Sequence, residues 1–365
     1  ITTYYLCFLR GIAMTKNILK NFYEAMESQS HPILATFVFV YNDYNTYADA
    51  NDPHIEECFD FEEVNEILDS VRDLFIKVLS FGSEALFLQW CIDYDHSQEV
   101  IYVYSMAQNI RGYSRRTLIP AICEYYGFIN VGASAYLSAL GCNKMSMFNL
   151  LEQAGYKNSL APTKFISTSD QLLSDQFPTG AEGLVVLKPP CESCCIDVYV
   201  VASNDTNLLL QKCDYLIQKY GRAMVQEYVA GEEIGITVVW HKKRAIALTP
   251  IQLVFEGDKK YLTSKDSFYC NYQLTPCLVP DELIEVCQKM SEQLEFHCVV
   301  RYDFRFDGFR YCLFDISPNP TINGYTSSNF AAQHYLNCDH RGILRLLTYE
   351  KICLFEPAFD GTENV

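Results

Sequence analysis

The sequence predicts a mixed α/β chain (α+β in its later part), and three observations carry that expectation. Between residues 33 and 127 the segments read strand, helix, strand, helix, the order that builds a parallel sheet. From residue 183 onward, short β-branched and aromatic runs meet at tight turns, as in antiparallel sheets. A length of 365 residues exceeds one ordinary core, so two or three packed domains are expected.

The elements follow in order. Residues 33–41, ILATFVFVY, form a buried first strand, followed by a polar, acidic loop. From Phe61 a helix is expected, because Val64, Ile67, Val71, Leu74 and Val78 recur at helical spacing. EVIYVYSMA (99–107) is a second strand, and RRTLIPAICEYYG is a helix that stops at Gly127. This first α/β unit ends near residue 140.

A different grammar then begins. Asn143 caps a helix whose Met147, Leu150, Leu151 and Ala154 make one apolar stripe, and Gly155 stops it. GLVVLKPP and DVYVVAS are strands, and a helix from about Asp205 to Tyr220 leads into the strand AMVQEYV. EIGITVVWH and RAIALTPIQLVF are strands around the charged turn Lys242-Lys243. The stretch 257–280 reads as irregular and too long for an ordinary connection, which marks it as functional. A helix opens at Pro280-Asp281, the strands CVVRYDFRF and FRYCLFD follow, and helices complete the chain after residue 326.

Composition excludes several function classes. The 28 Lys+Arg against 45 Asp+Glu give a formal charge of −17, which disfavours a nucleic-acid backbone as partner. No run reaches the roughly 18 apolar residues of a membrane span, so no membrane partner is expected. The start, ITTYYLCFLRG, has the wrong order of charge and apolar run for a signal peptide, and Met14 makes the residues before it an extension. Sixteen cysteines in a long, core-rich chain read as reduced thiols of a cytoplasmic protein rather than a disulfide framework. No Walker-type loop, G-x-G-x-x-G, H-E-x-x-H or G-x-S-x-G is present. Cys191, Cys194 and Cys195 lack an evident fourth ligand and do not have the spacing of a zinc site.

The hairpin 299–315 carries the strongest chemical signal. In VVRYDFRF, Arg301, Asp303 and Arg305 share one face, backed by Val300, Tyr302, Phe304 and Phe306 on the other. The partner strand ends in Asp315, and two carboxylates converging on a polar floor suit a hard cation such as Mg²⁺, with phosphate oxygens completing its shell. The plainer alternative is a solvated face with an Arg–Asp pair. A two-residue Asp307-Gly308 turn would send Asp315 to the face opposite Asp303. A three-residue loop, Phe306-Asp307-Gly308, or an equivalent bulge, keeps the two together.

The order of RRTLIPAICEYYGFINVGASAYLSALGCNK, LVVLKPPCES, MVQEYVAGEE and VVRYDFRFDGFRYCLFDISPNP resembles the ATP-grasp superfamily, in its D-alanine–D-alanine ligase-like branch, over about residues 100–350. The resemblance implies an ATP-grasp fold with an N-terminal α/β (pre-ATP-grasp) domain over 1–140. A central subdomain over 141–230 and a C-terminal one over 231–365 then enclose the nucleotide cleft between two sheets. It implies ATP and Mg²⁺ as cofactors, small amino acids or peptides as substrates, and a homodimer. Lys144 and Lys188 fall at the two phosphate-binding lysines. Gln226, Glu227 and Val229 fall in the adenine-reading segment, and Glu233 at the ribose-binding acid. Lys260 falls at the mobile-loop lysine near the transferred phosphoryl group, Asp303 and Asp315 at the metal carboxylates, and Arg301 at the arginine that stabilises the tetrahedral intermediate.

The departures are as specific. Ser317 stands where the family has a metal-binding Asn, and Asn319, two residues on, is the other candidate. Thr321 replaces a glycine of the oxyanion hole. Cys194 and Cys195 replace serines of the phosphate-covering loop, and Asp197 replaces a glycine there. An acidic, glycine-rich substrate loop and an N-terminal glutamate for the substrate ammonium are not evident in the sequence. Arg115 and Arg116 in RGYSRR either bind an anionic substrate group or begin a solvated helix; Thr326 is placed with them on the substrate side. The implied activity is carboxylate–amine ligation through an acyl phosphate, and the alternative is a protein that binds nucleotide or peptide without turnover.

Overall fold

The computed structural model describes residues 18–28, 31–47, 49, 52–108, 112–174, 177–180, 182–257 and 259–355. The apolar start and Met14 lie outside the described residues. A helix over 18–28 (α1) precedes strand β1 (Ile33–Val40) and helix α2 (Phe61–Asp69). Strand β2 (Phe75–Phe81), helix α3 (Glu84–Asp93), strand β3 (Ile101–Ser105), helix α4 (Leu118–Tyr126) and the short β4 (Ile129–Asn130) follow. They make a four-stranded parallel sheet in the order β2-β1-β3-β4.

The expected long helix from Phe61 is thus broken. Asp60 and Glu63 form a capping box that starts α2, but the helix ends at Asp69. Leu74 lies in the following turn, and Val78 lies in β2, where FIKVLSF gains a ladder against β1. Sheet pairing overrides the helical spacing there, because one buried neighbour strand satisfies the backbone that a longer helix would otherwise satisfy. Gly127 closes α4 in the left-handed conformation, as its position foretold.

Helices α5 (Ala135–Gly141) and α6 (Lys144–Leu151) connect to a second sheet. It contains β5 (Thr163–Ile166), β6 (Leu184–Lys188), β7 (Tyr199–Ala202) and β8 (Ala223–Glu227), with α7 (Asp170–Ser174) after β5 and α8 (Thr206–Tyr220) between β7 and β8. The strands are antiparallel in the order β5-β8-β6-β7. Leu209, Cys213 and Leu216 of α8 cover one face, on Val185, Leu187 and Val225. By alternation Val186, Lys188 and Gln226 occupy the other face.

The third sheet has β9 (Glu232–His241), β10 (Arg244–Ala247), β11 (Ile251–Phe255) and β12 (Tyr272–Pro276), with α9 (Ser264–Tyr269) between the last two. Helix α10 (Asp281–Gln293), strands β13 (Val300–Phe306) and β14 (Tyr311–Pro318), and helices α11 (Ser327–Leu336) and α12 (Gly342–Phe355) complete the chain. The strand order is β12-β11-β9-β13-β14, with β10 on β9. The stretch 257–280 is therefore not irregular throughout, since it holds α9 and β12; RAIALTPIQLVF is likewise two strands, split before Pro250, which has no N–H for a ladder.

One face of this sheet is core: Ile236, Val300, Tyr302 and Phe304 pack against Cys287 and Met290 of α10. The first sheet's Phe37, Phe39 and Tyr102 share another core with Ile343 and Leu346 of α12.

Candidate active site

The third sheet's other face is the floor of a cavity of about 720 Å³. The hairpin β13–β14 turns through four residues, Asp307 to Arg310, with Gly308 left-handed at φ 95°. That loop is one residue longer than the three-residue form expected, and alone it would put Phe314 opposite Asp303. A bulge at Phe314 corrects the register, so Asp303 pairs with Asp315 and Arg301 with Ser317. Directly opposed residues share a face, and the two carboxylates therefore converge. Glu233 and Gly235 of β9 extend the same face beside Arg305 and Asp303.

The charges on this floor are paired. Arg301 holds Asp303 through two bonds of 2.7 and 2.9 Å. Lys144, at the first turn of the Asn143-capped helix, donates to both oxygens of Asp315 at 2.7 and 2.8 Å. Burial works to raise the Asp315 carboxyl, but Lys144 and Lys188 hold it below the ordinary carboxylate range. Lys188 is 5% exposed and donates to the Phe314 carbonyl at 2.9 Å. Burial pushes its ammonium down to about 8, with Asp315 opposing. The Arg–Asp pair of the plainer reading exists, and it lies on the floor of a partly open cavity rather than on a fully solvated face.

Gln226 sits on the cavity face of the second sheet and bonds Thr163 Oγ1 and the Phe314 carbonyl at 3.0 and 3.3 Å. Glu227, at the strand's end, alternates in direction but still lines the cavity, and it accepts from Arg310 at 2.9 Å. Arg305, unassigned from sequence, organises this region: it donates to the Val229 carbonyl, to the Lys260 carbonyl and to Glu233 at 3.3, 3.0 and 2.7 Å. Burial raises the Glu233 carboxyl against the pull of Arg305. Alternation alone put Arg305 on the floor, so this signal was present in VVRYDFRF.

Other expected residues are placed differently. Lys260 is exposed and paired with Glu182 at 3.1 Å, while its neighbours Tyr261 and Leu262 line the cavity. Ser317 and Thr321 line the cavity, but Asn319 does not. A left-handed backbone at Asn319 (φ 55°) turns its side chain toward Gly132 and the Ser105 carbonyl. Arg115 begins no solvated helix: it is buried, bonded to both Glu57 and Glu192, and lines the cavity with Arg116. Arg116 reaches Gln108 and the Asn319 carbonyl at 2.9 and 3.2 Å. Thr326 lines the cavity and caps α11.

The loop 191–197 closes over the cavity in a conformation that favours glycine. Cys194, Cys195 and Asp197 all have left-handed φ of 50°, 57° and 55°. Asp197 is held by Lys219 and the Tyr220 hydroxyl at 2.8 and 2.5 Å, which ties the loop's end to α8. Its beginning is tied to the first domain through Glu192–Arg115, Ser193–Glu57 and His54–Glu192. Burial raises the Cys194 and Cys195 thiols to about 12, so both are neutral donors. Every cysteine among the described residues is a free thiol, and none belongs to a metal-binding cluster there.

An acidic wall from residues 56–66 was also not read from sequence. Glu57, Glu63 and Glu66, from the segment between β1 and β2, reach the cavity. Only the packing of the first sheet's segment on the third sheet brings them there.

Two opposed carboxylates, Asp303 and Asp315, and the Ser317 hydroxyl on the same face are hard-oxygen donors of the kind Mg²⁺ takes.

No protein-family model and no curated protein sequence matches the chain. Solved structures do. D-alanyl-alanine synthetase A from Vibrio cholerae superposes with a TM-score of 0.64 at 11% identity, covering 88% of this chain and 100% of the other. The D-alanine–D-alanine ligase from Bacillus anthracis complexed with ATP gives 0.62 at 12%, covering 89% and 99%. The VanG D-Ala:D-Ser ligase from Enterococcus faecalis gives 0.62 at 12%, covering 87% and 100%. The fold is the ATP-grasp fold of these ligases.

Proposed function

We propose that this chain is an ATP-dependent carboxylate–amine ligase that works through an acyl phosphate. The observation that carries the reading is the meeting of Lys144, Lys188, Asp315, Asp303 and Arg301 on one cavity floor between two sheets. The lysines come from the second domain and the carboxylates from the third. A phosphate tail needs that combination of fixed positive charge and hard oxygen ligands.

A carboxylate is a poor electrophile, and phosphorylation turns it into one. Lys144 and Lys188 stabilise the phosphoryl oxygens as charge develops there. Asp303 and Asp315 would hold Mg²⁺, which supplies further neutralisation of the phosphates when bound. Arg301, aligned by Asp303, faces the oxyanion that forms when the amine attacks. The latched loop 191–197 and the segment 260–272 exclude water, which an acyl phosphate requires to survive. The neutral thiols of Cys194 and Cys195 make the loop's backbone N–H groups its main phosphate donors.

The test is phosphate release with Mg-ATP across a panel of D- and L-amino acids, with products identified by mass. Lys188→Ala and Asp303→Asn should each abolish amine-dependent ADP formation, and full activity in both would discard the ligase reading. Tight ATP binding without turnover on any pair would favour a nucleotide- or peptide-binding protein, the reading that Ser317, Thr321, Cys194 and Cys195 support.

A further inference from the structure

One cavity wall comes from residues 56–66, which carry six carboxylates and no lysine or arginine. Most are accounted for. Glu57 takes Arg115 and Ser193. Asp60 and Glu63 complete the capping box of α2, and Glu63 also accepts from Asn323 Nδ2 at 2.9 Å and from the Tyr325 hydroxyl. Glu62 is exposed.

Three acceptors on the wall are left without donors among the described residues. Glu56 Oε2 is enclosed and has no hydrogen bond. Lys265 of α9 acts on Glu56 only through space. Glu66 is half-buried against Gly324, where a Cβ would lie 2.1 Å from Oε1, and among the described residues no group donates to its carboxylate. Asn323 is 2% exposed and lines the cavity, yet its Oδ1 has no partner. The bond from Nδ2 to Glu63 fixes the amide, so Oδ1 cannot be exchanged for the donor end. Burial and the neighbouring Glu57 raise the Glu56 carboxyl, with Lys265 opposing, so the group lacks full compensation for its charge.

Glu56 and Glu66 each lack a cationic partner among the described residues, and leaving either partly buried carboxylate unpaired is costly. We propose that this wall binds a substrate with two protonated nitrogens, a diamine or a basic amino acid, through Glu56 and Glu66, with Asn323 Oδ1 accepting a further N–H. The proposal rests on reading the cavity as a ligase site and names the class of amine that site takes.

Calorimetric titration of the full chain at neutral pH with 1,5-diaminopentane, L-lysine and D-lysine, against pentylamine and alanine, tests it. At least one dibasic probe should bind about tenfold tighter than its monobasic counterpart, and Glu56→Gln and Glu66→Gln should each erase about that preference. Equal affinities, or a preference unchanged in both variants, overturn the proposal. The comparison on the unmodified chain decides alone if a variant fails to fold. ADP formation on the same panel separates the two readings. Turnover confined to neutral amino acids, with no dibasic preference, removes this inference and leaves the ligase. Preferential dibasic binding without turnover on any pair keeps this inference and removes the ligase.

Discussion

Lys144 Nζ lies 2.7 and 2.8 Å from the two carboxylate oxygens of Asp315, a residue 171 positions further along the chain. Lys144 begins helix α6, where the helix dipole disfavours a cation. Asp315 offsets that penalty and turns an awkward lysine into one aimed at the cavity floor. A hydrogen bond to a charged group contributes about 1.5–3 kcal/mol. Lys144→Met should therefore weaken ATP binding by roughly tenfold to a hundredfold. Calorimetry with Mg-ATP reads this directly, and an unchanged affinity would remove Lys144 from the phosphate site.

Lys188 supplies a pH signature. Its folded-state ammonium is pushed by burial down to about 8, below the ordinary lysine value of 10.5. Between those two values the unfolded chain binds more protons than the folded one, so this group makes stability rise with pH across that window. Phosphate oxygens near Lys188 would restore the charged form. Binding of ATP at pH 9 should thus take up a proton, seen as a dependence of the measured heat on buffer ionisation enthalpy. Lys188→Ala should abolish the uptake, and uptake that persists in that variant would assign it elsewhere.

Asp197 holds a strained loop shut. Burial opposes its ionisation, but Lys219, Tyr220 and Tyr199 keep its carboxyl below the usual range. Asp197→Gly relieves the left-handed backbone but removes the anchor. The loop 191–197 should then exchange amide hydrogen faster while the KM for ATP rises several-fold with little change in overall stability. Unaltered exchange would show that the first-domain contacts hold the loop unaided.

Arg115 is the joint between the first domain and that loop. Arg115→Met leaves Glu57 and Glu192 buried without their cation, a loss of about 3–5 kcal/mol. A marked drop in Tm is expected, and Arg115→Lys should recover only part of it, because a lysine cannot span both carboxylates with a planar fork. A Tm within a degree of the parent would contradict the buried triad.

The residues that local rules govern were readable in advance. Asn143 announced the helix that carries Lys144, and Gly127 announced a helix end. Alternation in VVRYDFRF set Arg301, Asp303 and Arg305 on one face and aromatic core on the other. The four blocks carried the ATP-grasp resemblance that the superposition bears out at fold level. Helix spacing misled at Val71 to Val78, where an adjacent strand competed for the backbone.

The sequence by itself determined the identity of the faces, since side-chain alternation and helix caps depend on near neighbours only. Tertiary structure alone decided the partners. The pairing of Lys144 with Asp315, the burial of Arg115 between Glu57 and Glu192, and the arrival of Glu56, Glu66 and Asn323 on one wall all join segments far apart in the chain. Such meetings depend on how three sheets pack. Charge pairing in a buried space is set by distance and desolvation, which no local pattern of residues encodes.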